Sequence, residues 1–178
     1  MSATIRPGNL RAALDAKLAA ALSQLVELRE AEQPRVTVHL SPREIVGAFL
    51  LYAGGVYPIA DKFGRAQAGE LQFNAWYEAW IKGLNAVDGV FWTQLRDARV
   101  RQERGQVVEL IEVEISVAPD PSAGARQSSR GAPAAAHKQL VRFAAHPDRP
   151  ASDVCNGYLQ VARRFVHDFL REYARFLP

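Results

Sequence analysis

The pattern of apolar positions is clearest between Ala151 and Leu177, where Tyr158, Ala162, Phe165, Phe169, Tyr173 and Phe176 recur at steps of four, three, four, four and three. At about 3.6 residues per turn these positions share one face of an α-helix. Val161, Val166, Leu170 and Leu177 widen that face. Pro150 and Ser152 mark a start: Ser152 reads as the N-cap, and Asp153 sits where the helix dipole favours an anion. So aromatic a stripe needs a broad surface to cover, and the rest of the chain is expected to supply it.

Asn9 to Glu30 carries a second helical pattern, with Leu10, Leu14, Leu18, Leu22, Leu25 and Leu28 at steps of three and four among many alanines. Asn9 can cap it and Pro34 stops it. The drift from a strict heptad argues against a long coiled coil. Residues 1–33 read first as a helix packed on its own domain and second as a peripheral helix, its leucines Leu14, Leu18, Leu22 and Leu25 a candidate contact stripe for another chain.

Val36 to Leu40 alternates and is β-branched, which predicts a short strand. Ser41-Pro42-Arg43-Glu44 follows, a capping box with proline at the first helical position. It opens a helix to about Ala53 that is apolar nearly all round, as expected for an element buried on most sides. Gly54 to Gly69 contains Gly54-Gly55, Tyr57-Pro58 and a polar glycine-bearing run from Asp61 to Arg65, and is expected to be a loop. Glu70 to Val87 predicts a third helix, with Phe73, Trp76, Trp80 and Leu84 along one stripe and Asp88-Gly89 ending it.

Phe91 to Arg101 has no decisive period. In Val107 to Val117, Val107, Ile111, Val113, Ile115 and Val117 share one parity and Glu112, Glu114 and Ser116 the other, the pattern of a half-buried strand. Arg104-Gly105 suits a tight turn, so a preceding strand would bring Arg96, Arg99 and Arg101 beside the acidic face. Residues 119–136 are rich in Pro, Ser, Gly and Ala, have little to bury and are expected to be a disordered internal loop. Lys138 to Ala145 reads as one more strand.

Composition changes this picture in three places. One cysteine, Cys155, excludes an intramolecular disulfide and a cysteine-held zinc, which suits a reducing, cytoplasmic compartment. The only long uncharged run, Ile45 to Ala60, has 16 residues and is broken by glycine and proline. That falls short of the roughly 20 needed to span a bilayer, so no membrane partner is expected. Arg11, Asp15 and Lys17 interrupt any secretory h-region. The pI of about 9.2 points towards nucleic acid, but residues 1–89 are neutral, and residues 119–149 hold five basic against two acidic side chains. Most of the excess thus falls in the segment expected to be disordered.

Motifs that carry chemistry are absent. The histidines (His39, His137, His146, His167) have no partner at metal-ligand helix spacing, so no metal site and no cofactor are expected. Gly64-Arg65 lacks the remaining residues of a phosphate loop. Cys155 lies near a helix start, which can lower a thiol pKa, but no nucleophile signature surrounds it. Arg164, Arg171 and Arg175 lie on one basic stripe of the last helix, interrupted by Asp168 and Glu172.

The sequence thus predicts a single α+β domain spanning 1–178: a small antiparallel sheet of three to four strands, the long C-terminal helix packed on it, and further N-terminal and central helices. The expected function is non-catalytic: a protein–protein interaction or assembly subunit whose partner is another protein chain, a copy of itself included. Two alternatives stand beside it. One is a nucleic-acid binder using Arg164, Arg171 and Arg175 with the basic loop. The other is a small-ligand-binding domain or cryptic enzyme with a pocket lined by the aromatic helix.

Overall fold

A computed structural model of the chain describes residues 7–33, 40–106, 108–117 and 136–174. These form six helices, α1 (Pro7–Glu32), α2 (Pro42–Gly54), α3 (Val56–Ala68), α4 (Glu70–Lys82), α5 (Ala86–Glu103) and α6 (Ala151–Glu172), and two strands, β1 (Leu110–Val117) and β2 (Ala136–Phe143). Among the described residues the sheet is a two-stranded antiparallel ribbon, with Leu110 opposite Phe143 and Val117 opposite Ala136. This is fewer than the three to four strands expected. Residues 36–39 of the predicted strand lie outside the described residues, as do 119–135 of the segment expected to be disordered.

The last helix is the hub, though not by lying on a sheet. Helix α6 packs against α1, α2, α3 and α5, sets its rings against those of α4, and meets the ribbon through β2. Its stripe is buried as its spacing predicts: Tyr158, Ala162, Phe165, Phe169 and Tyr173 all enter the core. They meet rings from the other helices, with Phe165 4.7 Å from Trp92 and 5.1 Å from Trp80, and Phe169 5.6 Å from Trp76. Offset and edge-to-face contacts of this kind add to the area they bury. The cap differs from the expectation. Pro150, with no side-chain cap bond, occupies the N-cap position, and Ser152 is the second residue of the helix.

Three segments depart from the sequence reading, each for a packing reason. The stretch 54–69 is not a loop but a helix–helix corner at Gly55 followed by α3. Pro58 is tolerated because it falls in the first turn, where backbone N–H groups have no intrahelical partner. Gly64 does not break α3. It lets Phe73 approach so closely that a Cβ would lie 2.3 Å from the ring. The aromatic helix stops at Lys82, not Val87, because Asn85 caps a new helix by accepting a hydrogen bond from the Asp88 backbone N–H at 2.8 Å. Asp88-Gly89 therefore begins an element instead of ending one.

Residues 91–101 lie within that helix, α5, so no hairpin precedes β1. Gly105 does take a positive φ of 67°, but as the turn leaving a helix. Of the three arginines expected across a hairpin, Arg101 alone comes near an acid on the way into β1, at 4.0 Å from Glu109. Arg99 pairs with Glu103, and Arg96 stacks on the Tyr57 ring at 4.2 Å and donates to the Tyr77 hydroxyl at 2.6 Å. The capping box is present as read, with Glu44 accepting from the Ser41 backbone N–H at 2.9 Å and Ser41 accepting from that of Glu44. No helix of the described residues is long and apolar enough to cross a membrane.

Candidate functional site

The ribbon joins the helical body by its foot. In an antiparallel pair, directly opposed residues share a face. Leu110 and Glu112 thus stand with Phe143 and Val141, and Ile111 and Val113 stand with Arg142 and Leu140. The first face meets the body: Val141 and Phe143 are buried and Leu110 packs beside them. Phe143 sets its ring against Tyr158 of α6 at 5.6 Å, and Glu112 reaches Arg43 of α2 at 3.2 Å. The second face turns away. Ile111 is 44% exposed, and neither Val113 nor Leu140 belongs to the core. The face with more aliphatic residues is therefore the outer one, because β2 supplies the residues that anchor the ribbon.

Beside the foot lies an open cleft of about 220 Å³ between α5, the approach to β1, the end of β2 and α6. Gln94, Asp97, Ala98 and Arg101 line it from one face of α5, their spacing being that of successive helical turns. Val108, Glu109, Phe143, Ala144 and Tyr158 complete it. Gln94 holds the cleft's inner wall together. Its Oε1 lies 2.9 Å from His146 Nε2 and accepts from the Tyr158 hydroxyl at 3.4 Å. With that oxygen as acceptor, His146 carries a proton on Nε2. Burial, and then the neighbouring Cys155, push the Tyr158 hydroxyl well above its ordinary value, so it remains a donor at neutral pH. The backbone N–H of Ala144 closes the foot onto the Glu109 carbonyl at 2.9 Å.

The residues singled out by sequence are dispersed. Leu14 and Leu25 are 0% and 1% exposed in the core, Leu18 packs partly against it, and Leu22 is 38% exposed beside Val26. Only Leu22 of that stripe thus lies open to contact. Arg164 reaches Asp88 at 2.9 Å and Asp168 at 3.9 Å, and Arg171 reaches Asp168 at 3.6 Å; Arg175 lies outside the described residues. Two of the three arginines are therefore engaged with carboxylates. Cys155 is fully buried, and burial followed by the charge of Glu32 pushes its thiol well up, away from the reactive thiolate. Phe73, Trp76 and Trp80 of the aromatic helix sit among other rings and do not line the cleft. No group of three or more metal-ligating side chains occurs among the described residues.

The cleft was not legible in advance, because its α5 wall depends on residues 91–101 being helical. Asn85, with Asp88 three positions later, was the available signal for that helix. Comparison of the chain with protein-family models, curated proteins and solved structures finds no match.

Proposed function

We propose that the protein is a non-catalytic assembly module that joins a second copy of itself through the outer face of the ribbon. The observation that carries this reading is the exposure of Ile111 on the outer face of the ribbon, with the half-buried Val113 and Leu140 sharing that face. A two-stranded ribbon is marginal in water, and an aliphatic face on it gains stability by being covered. Charge disfavours pairing a second copy by the ribbon's edge. Edge-to-edge pairing of two β1 strands with like faces aligned would bring Glu112 and Glu114 of one copy beside those of the other. Stacking the outer faces leaves those carboxylates on the far side. Arg142 does not oppose it, since its guanidinium is turned onto the Pro147 carbonyl at 2.7 Å.

The test is the mass of the full chain in solution, by sedimentation or light scattering. The wild type is expected to be a dimer or larger, and Ile111→Asp a folded monomer with unchanged circular dichroism. A monomeric wild type, or a variant that still assembles, overturns the reading. Nucleic-acid binding has less support, given the carboxylates that engage Arg164 and Arg171. Steeply salt-dependent binding of a random oligonucleotide would be its signature.

A further inference from the structure

The geometry points to the cleft at the foot of the ribbon as a binding site for an organic cation, an ammonium or guanidinium carried on a short apolar stem. This inference uses residues other than the outer face of the ribbon and stands independently of the assembly reading. Two carboxylates, Asp97 and Glu109, line the cleft against one guanidinium, that of Arg101. Asp97 makes no ion pair or hydrogen bond among the described residues. Arg101 comes only within 4.0 Å of Glu109, too far for a hydrogen bond, so it leaves acceptor capacity on that carboxylate as well. The balance of charge in the cleft is therefore negative, with both carboxylates open to solvent.

The remaining lining fits the stem. Ala98, Val108, Phe143, Ala144 and the Tyr158 ring form an apolar surface beside the acids. Gln94 Oε1, the other strong acceptor in the wall, is already taken by His146 and Tyr158, so it holds the wall in place and leaves recognition of the cation to the two carboxylates. A few convergent polar groups over an apolar floor is the usual make-up of a small-ligand site. The same chemistry is offered by a free amine and by a lysine side chain of a partner.

Calorimetric titration of the full-length protein with benzylamine, benzyl alcohol and benzoate tests the assignment. Benzylamine is expected to bind saturably, benzyl alcohol roughly two- to fivefold more weakly and benzoate more weakly still, the scale of one exposed ion pair. Asp97→Asn is expected to weaken benzylamine by about the same factor, and Arg101→Gln to tighten it by removing the competing cation. Both positions are near the surface, so circular dichroism of the variants should match the wild type. Saturable binding of a capped lysine derivative as tight as that of benzylamine assigns the natural source to a side chain, and binding of benzylamine alone assigns it to a free amine. Absence of saturable benzylamine binding, benzoate binding as tightly as benzylamine, or an Asp97→Asn variant indistinguishable from wild type overturns the proposal.

Discussion

Glu32, the last residue of α1, places its carboxylate over the first turn of α6, where the Ser152 backbone N–H donates to Oε1 at 3.0 Å and the Ser152 hydroxyl donates to Oε2. These residues are 120 positions apart. A second anion at this helix N-terminus, beside Asp153 of the first turn, thus comes from another helix, while Pro150 at the cap position offers no side-chain bond. The same contact ties α1 to the hub helix. Glu32→Ala is expected to destabilise the protein by about 1–2 kcal/mol, the cost of a lost cap. Ser152→Ala, which keeps the N–H, should cost less, and the double variant should fall short of the sum because the two share one carboxylate. Denaturant unfolding of the three variants measures both statements.

Asp168 performs a comparable task on the outer side of α6. It accepts from the Trp80 indole N–H at 3.0 Å and sits among Arg164, His167 and Arg171. Burial pushes its carboxyl up, but hydrogen bonds from His167 and Trp80 and the charge of Arg171 outweigh it and hold the group below its ordinary value of 3.8. A carboxyl depressed in the folded state contributes stability above its ordinary value, and that contribution is lost as pH falls through the folded one. Wild type should therefore lose more stability than Asp168→Asn as pH falls from about 5 to about 2. Asp168→Ala leaves the indole N–H of Trp80, which is 9% exposed, without an acceptor, and should cost about 1–3 kcal/mol at neutral pH. Thermal unfolding across pH tests both.

Two glycines inside helices should respond to alanine with opposite signs. At Gly64 a Cβ would lie 2.3 Å from the Phe73 ring, and Phe73 is fully buried and cannot withdraw. Gly64→Ala is expected to cost about 1–3 kcal/mol through overpacking of α3 on α4. At Gly89, in the first turns of α5, a Cβ meets nothing within 4 Å. Gly89→Ala should stabilise by about 0.5–1 kcal/mol from helix propensity alone. Equal effects at the two positions would contradict the packing described.

What the sequence determined by itself is the set of features written in local spacing. The stripe from Tyr158 to Tyr173, the leucine helix, the Ser41–Glu44 box and the alternation in β1 are all decided within a few residues, by 3.6- and 2-residue periods and by a cap that closes on itself. What tertiary structure decided is everything in which a residue's partner is distant. Gly54, Gly64 and Pro58 read as breakers, yet Gly54 and Gly64 are close approaches to Arg99 and Phe73, and Pro58 occupies a turn that needs no N–H. Residues 91–101 lack a clean period because α5 meets different surfaces on different sides: Trp92 enters the aromatic core, Arg96 lies on tyrosines, and Asp97 and Arg101 border the cleft. The leucine stripe fixed a helix but not its neighbour, and α2 and α6 supplied one from within the chain. The ribbon's alternation likewise established two faces without saying which was inner, since Val141 and Phe143 on the partner strand made that choice. Periodicity is a property of the chain alone, whereas burial depends on which surface arrives from elsewhere in it.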